Sequence, residues 1–539
     1  MTAARATGLL FQGFRRAQAS PALHLLGERL RLLRSDLGFL ALVVFVFTAY
    51  WFLLSAGTHP WPVYGTFHDL QADGFLKGQL NLTLDPAPEL VQAKDPYDRA
   101  NGRYWVFDAS YYKGKYFIYW GPVPALLQAA AKGLLQIRRP IGDGNLMLFF
   151  LCFAFLAGAL VIRRLARRLF PGLPRWLVGL GLLAFAFANS TVHCATSAGT
   201  YQVAIVGAQA WLLAGLVFAF EAVWHAGTPR AGNWRLLVAG TCWALAIGSR
   251  LTVAFAVALL ILITAWTEAS ESERRFRRAF FVLLLLGVPV ALGSFGLLFY
   301  NYLRFDNWLE FGSKIQLSGH PTLRIEAAFI PLNILSYSLR PWVTSCEFPY
   351  LFQQWNVRPD FPDWLMPVPK SYFSPEPVVG FLVALPITWL IPLAFVFAPR
   401  PRAPVTRGKR TRLFCLLSFA TIASVTGAIG LGVYGSTMRY LSDITFGLVL
   451  LSLLAGFGLR MHPLAAHAPR TISLLVGLLA TATIVIGLLI GYQGYNGHFR
   501  HFNPKLHAKL DKALSFCSKT EPEQRMREVV EPSGYRPRK

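Results

Sequence analysis

Between Trp176 and Phe220 the chain runs for 45 residues without an Asp, Glu, Lys or Arg. A bilayer crossing takes roughly 20 apolar residues, so this block holds two crossings. In hydrocarbon the backbone has to bond to itself, which makes such crossings helices. A second uncharged run covers Leu37 to Ala56. Only 15% of the 539 residues are charged and mean hydropathy is +0.43, against about 25% charge in a soluble domain. The chain reads as an all-α polytopic membrane protein.

The net charge of +25 would suit a nucleic-acid partner, but the basic residues cluster between apolar runs, as cytoplasmic loops do. No soluble basic face remains for nucleic acid. The six cysteines contain no CxxC and define neither a metal site nor a disulfide framework. A bridge between Cys346 and Cys517, the two on the outer side, is allowed but not specified. The first apolar run is too long for a signal h-region and lacks a small-x-small site, so it reads as a signal anchor. Before it, SPALHLLGERLRLLRSD offers Ser20 as N-cap and Pro21 at the first helical position. Residues 1–36 are expected to form a basic amphipathic segment on the cytoplasmic leaflet.

Eleven crossings are expected, near 37–57, 144–162, 176–192, 203–222, 236–249, 251–267, 279–300, 377–398, 413–434, 441–459 and 471–492. YFIYWGPVPALLQAAA, residues 116–131, is apolar enough to cross, but Gly121, Pro122 and Pro124 suit a spanning helix poorly. Were it to cross, RRLARR would move outside, so it is expected to be interfacial or re-entrant. The run 236–267 would make one helix about 48 Å long against a core of about 30 Å. Two short helices meeting at Arg250 fit better. With the N-terminus inside, 19 Lys and Arg fall on cytoplasmic loops after the first span. The odd count leaves the tail from Arg500 outside, with ten basic residues against five acids. The expected organisation is a transmembrane domain over 37–495, with outer loops at 58–143 and 301–376, and a polar tail over 496–539.

The first outer loop carries eight of the 27 acids. HDLQADGFLKGQL has the apolar spacing of a short surface helix. On it, Asp69 and Asp73 would point the same way with β-carbons about 6 Å apart, an arrangement suited to general-base work or to a divalent cation. The plainer alternative is an N-cap and a solvated face. Asp95 and Asp98 are turn formers. Asp108 precedes a dense aromatic group that includes Tyr116 and Tyr119, either an interface belt or a platform for a sugar or polyprenyl chain. Lys113 and Lys115 would meet a phosphate or simply face water. In MRYLSD, Arg439 and Asp443 form a local ion pair, or Arg439 with Tyr440 beside it binds a lipid phosphate. Arg250 presents the same choice.

At these residues the layout resembles the GT-C class of membrane glycosyltransferases, which includes protein O-mannosyltransferases and the enzyme that adds aminoarabinose to lipid A. HDLQADGFLKGQL resembles the first surface helix of that class, GKYFIYWGPVPALLQAAAKGLL the second, and NLMLFFLCFAFLAGALVIRRLARR the basic-ended span. SRLTVAF resembles the motif between two middle spans, and MRYLSDITFGLVLL the Arg-Tyr span near the lipid phosphate. DPYD, FDASYYKGKYFIYWGPVPALL and NYLRFDNWLEFGSKIQLSG look like a bacterial subgroup. No adjacent acidic pair opens the first surface helix, a departure that leaves the catalytic carboxylate open.

The resemblance implies transfer of a sugar from a polyprenyl-phosphate donor to a glycan, lipid or protein acceptor of the envelope. That would take place at the outer face of a bacterial inner membrane. Asp73 or Asp69 would act as base, with Asp108 orienting the base or the sugar. Arg439, Tyr440 and Arg250 would hold the lipid phosphate, and Lys115, Tyr116 and Tyr119 the substrate. No cofactor is specified beyond a candidate divalent cation. The rival classes are a transporter or flippase of lipid-linked saccharide and a non-catalytic envelope scaffold. Most charges lie at span ends and no paired repeats are evident, unlike transporters.

Overall fold

The computed structural model describes residues 21–59, 65–228, 232–318, 325–353, 368–369, 371–372, 377–396, 406–463, 467–494 and 497–516, with only the backbone for 21–35. The N-cap Ser20, the basic run 400–405, Cys517 and the tail after residue 516 lie outside that set. Two compact units divide at Ala49/Tyr50. In the first, the described chain is the leading part of helix α1 (Pro21–Ser55). The second unit holds all that follows.

Among the described residues, eight helical stretches are long and apolar enough to cross a bilayer. They are Asp36–Ser55 within α1, Gly144–Leu169, Thr200–His225, Leu251–Ala269, Arg275–Phe305, Arg407–Leu431, Met438–Arg460 and Pro469–Gln493. A further apolar pair, α5 (Arg175–Ala186) and α6 (Asn189–Ala195), is bent by 51°, the form of a broken span or a re-entrant loop. The other two expected crossings correspond to α8 (Trp234–Ser249), about 24 Å long at 1.5 Å per residue, and to a short apolar stretch Pro386–Val396.

The first long inter-span segment contains helix α2 (Phe67–Leu76), a hairpin of β1 (Ser110–Tyr112) and β2 (Lys115–Phe117), and helix α3 (Val123–Leu135). With 13 residues, α3 is too short to span, in keeping with Pro122 at its N-cap and Pro124 in its first turn. It packs on α2. Helix α4 (Gly144–Arg164) follows, and α7 (Thr200–His225) packs against it and against α8.

At the end of α8 the backbone of Arg250 becomes extended (φ −154°, ψ 114°), and α9 (Ala254–Ala269) starts four residues later after a 3-10 turn. The chain thus breaks where a single helix would overrun the hydrocarbon. Gly121 sits against this break; a β-carbon there would lie 2.0 Å from the Gly248 carbonyl. The long α10 (Arg275–Phe305) lies largely on the outside of the bundle. After α11 (Ile330–Leu339) come α12 (Arg407–Ser424), α13 (Met438–Arg460) and α14 (Pro469–Gln493).

The core sits around α7 and α13. In each, 89% of the apolar window is buried, against 17% in α10. Small polar groups tie α6 to α13: Ser190 Oγ donates to Thr445 Oγ1 at 2.6 Å, and Cys194 Sγ lies 3.1 Å from Ser442 Oγ. Gln209 Nε2 of α7 donates to the Asp443 carbonyl at 2.8 Å. His193 is fully buried in this seam.

The C-terminal helix α15 (Pro504–Leu514) is fastened to the second long segment. Phe516 N donates to the Cys346 carbonyl at 3.0 Å and Phe348 N to Ser515 Oγ at 2.9 Å. Cys346 is in a disulfide.

Candidate functional site

Helix α2 forms where the HDLQAD spacing places it, and both acids use the same face. That face turns inward, however. Asp69 is 2% exposed and accepts from four donors. Oδ1 takes Gln128 Nε2 at 2.7 Å and Lys132 Nζ at 2.9 Å; Oδ2 takes the amides of Ile141 at 3.0 Å and Gly142 at 3.3 Å. Gln128 and Lys132 are four apart on α3 and so share a face. Lys132 Nζ also lies 2.5 Å from Asp73 Oδ1. Burial by itself pulls the Lys132 ammonium down, but the bonds to Asp73 and Asp69 outweigh it and the net direction is up. With two backbone amides, a side-chain amide and a buried ammonium on its two oxygens, this carboxylate has no lone pair left to offer an incoming hydroxyl. Asp69 is thus enclosed by its donors, and Asp73 lies at the rim of the same knot.

The knot extends to the start of α7. Asp143, fully buried, accepts from Thr200 Oγ1 at 2.7 Å and from the Asp69 amide at 3.3 Å. His68 Nε2 lies 3.3 Å from the Thr200 carbonyl. Burial raises the Asp143 carboxyl and lowers the His68 imidazole, so both are pushed toward their neutral forms. Through the Asp69 backbone amide and Asp143, α2 is thereby tied to Thr200, the residue that precedes Tyr201.

Tyr201 is the hub of a second constellation. Arg439 stacks over its ring at 4.0 Å. Trp120 meets it edge-on at 4.7 Å, Tyr119 lies 6.0 Å away, and Tyr119 stacks on Trp120 at 4.3 Å. Burial pushes the Tyr119 hydroxyl well above its ordinary value, and Tyr201 adds to this. Gln316, from the second long segment, donates through Nε2 to Asp108 Oδ1 at 3.0 Å and reaches the Tyr201 hydroxyl at 3.4 Å. The backbone enforces this meeting: Asp108 N donates to the Leu317 carbonyl at 2.9 Å, and Leu317 N to the Ala109 carbonyl at 2.8 Å. Asp108 sits at φ 68°, a left-handed conformation that an aspartate adopts more readily than most residues. Its carboxylate is half-buried.

On the other side of Arg439, Arg250 lies 5.6 Å from the Tyr440 ring and donates to Asp443 Oδ2 at 2.8 Å. The i,i+4 spacing in MRYLSD left open an Arg439–Asp443 pair or a phosphate site at Arg439; here Arg250, arriving from the helix break, donates to Asp443.

The structure therefore brings Asp108, Tyr119, Arg439, Tyr440 and Arg250 together and leaves four expected site residues outside the cluster. Asp69 and Asp73 belong to the lysine knot. Tyr116 is 1% exposed in an apolar cluster with Leu82, Leu90, Ile118 and Trp120. Lys115 is exposed at the hairpin turn, paired in register with Tyr112. Lys113 pairs with Asp306 at 2.7 Å.

Sequence reasoning missed Tyr201, Gln316 and Lys132. Lys132 is a lone charge in an apolar, proline-led stretch, which marks it for partners. Gln316 and Tyr201 carry no such signal, because only tertiary contact joins them to Asp108.

No protein-family model and no curated protein matches this chain. Among solved structures, it is similar to the archaeal oligosaccharyltransferase AglB from Archaeoglobus fulgidus, in complex with an inhibitory peptide and a dolichol-phosphate. Identity is 12% and the TM-score 0.44, covering 90% of this chain and 61% of that one. A likeness this loose assigns no role to any residue.

Proposed function

We propose that the protein is a GT-C-like glycosyltransferase. It would move a sugar from a polyprenyl-phosphate donor to a glycan, lipid or protein acceptor at the extracytoplasmic face of a bacterial inner membrane. The observation that carries this reading is the convergence of a half-buried carboxylate, Asp108, and a stacked guanidinium, Arg439, on Tyr201. Asp108, rather than Asp69 or Asp73, takes the proton of the acceptor hydroxyl as its oxygen attacks the anomeric carbon. The bond from that carbon to the phosphate oxygen breaks, and the lipid phosphate leaves with the electron pair. Arg439 and Arg250 meet its growing charge, since a guanidinium forks onto phosphate oxygens. Tyr119, backed by the buried Trp120, offers a ring face to the sugar.

Sidedness draws support from chemistry as well as charge. Disulfides persist in oxidising compartments, so the bridged Cys346 favours an outer location for the second long segment. The fastening of α15 to that segment brings the C-terminal helix to the same side, where the odd span count had put it.

One observation favours the transporter reading: a broken span with a buried histidine and a polar seam resembles the discontinuous helices of transporters. Turnover in detergent, where no compartments exist, separates the two. The decisive test compares envelope glycans in deletion cells restored with wild type or Asp108→Asn. Unaltered glycans on deletion, or full restoration by Asp108→Asn, would defeat the proposal.

A further inference from the structure

Two acids on one helix face suit a divalent ion, and the geometry can be asked whether one fits. Such an ion takes six or more oxygen ligands at about 2.0–2.6 Å. Between Asp69 and Asp73 the structure instead puts Lys132 Nζ, 2.9 Å from one carboxylate and 2.5 Å from the other. The lysine side chain is 0% exposed. The remaining lone pairs of Asp69 go to Gln128 and to two backbone amides. Asp143, the nearest further acid, is engaged by Thr200 and the Asp69 amide. Among the described residues no group of three or more His, Cys, Asp or Glu could hold a metal. A divalent ion would have to expel an ammonium that already supplies the positive charge, then find four more oxygens where amide donors stand.

We infer that Lys132 is the resident cation of this acid pair: its ammonium supplies the charge balance a divalent ion would give, and Asp69 and Asp73 do not bind metal. Gln128 and Lys132 reach the pair from one face of α3, so the internal cation also clamps α3 to α2. Through Asp143 and Thr200 the clamp holds the start of α7 at any metal concentration. Nothing in this depends on sugar transfer, because the readout is metal binding and its failure leaves the glycosyltransferase reading intact.

The test is Mn2+ titration of the full chain in detergent, followed by electron paramagnetic resonance, with thermal unfolding in EDTA or 5 mM Mg2+ alongside, roughly the range of the weaker oxygen sites. Wild type should show no Mn2+ signal removed by Asp73→Asn, and the same unfolding midpoint in EDTA and Mg2+. Lys132→Ala leaves two uncompensated carboxylates. It should gain one Mn2+ site, lost again when Asp69→Asn is added, and Mg2+ should recover part of its lowered midpoint. The wild-type and Asp73→Asn measurements stand even if Lys132→Ala fails to fold. An Asp73-dependent Mn2+ site in wild type, a wild-type midpoint that falls in EDTA, or a folded Lys132→Ala without a new site would overturn the inference.

Discussion

Replacing Asp69 and Asp108 separately by asparagine should give opposite phenotypes. At position 69 one acceptor oxygen becomes an amide donor. It then faces either the Ile141 and Gly142 amides or Gln128 and Lys132, all donors. Lys132 keeps only Asp73 as counter-charge. Breaking a buried ion pair costs about 3–5 kcal/mol, and each orphaned buried donor about 1–3 kcal/mol. The two overlap, so the expected loss is about 4 kcal/mol, against total stabilities of about 5–15 kcal/mol. At position 108 the amide oxygen can still accept from Gln316, so stability should stay within about 0.5 kcal/mol. Turnover should fall about 10²–10⁴-fold with the base gone, or about 3–5 kcal/mol in the barrier. Thermal unfolding of the detergent-solubilised full chain reads the first effect. Donor-dependent sugar transfer at equal amounts of folded protein reads the second. An Asp69→Asn protein that melts like wild type yet has lost transfer, beside an Asp108→Asn protein with wild-type turnover, would refute this division of roles.

Gln316→Ala should lower kcat by up to about 10²-fold with little change in KM. Gln316→Glu, which sets a second carboxylate against Asp108, should move the acid limb of the pH–rate profile upward; an unmoved limb counts against Asp108 as base. The His498 imidazole, bonded to the Leu53 carbonyl, is pushed down to about 4, chiefly by burial. The folded state then binds fewer protons than the unfolded chain between about pH 6.5 and 4. About 3 kcal/mol of stability present above that window should be lost as pH falls through it, and His498→Gln should flatten that part of the stability–pH curve. Gly121→Ala would drive a β-carbon to 2.0 Å from the Gly248 carbonyl and should cost about 1–3 kcal/mol, read as a lower unfolding midpoint.

By itself the sequence determined the membrane class, most of the crossings and the break at Arg250, because these follow from hydrocarbon thickness and from the cost of burying charge. The surface helix at HDLQAD and the shortness of the proline-led helix after the hairpin were legible for the same reason: apolar period and proline chemistry act locally. The direction the acids face was not. Whether Asp69 looks at solvent or at Lys132 depends on α3 docking across it, more than fifty residues later in the chain, and periodicity holds no information about that partner. Asp108 was one carboxylate among eight until Gln316, 208 residues along the chain, and Tyr201, from the start of α7, closed around it. Local pattern sets which residues can be buried or charged; only tertiary packing decides which charge meets which, since the energy of an ion pair or hydrogen bond lies in a distance that no stretch of sequence encodes.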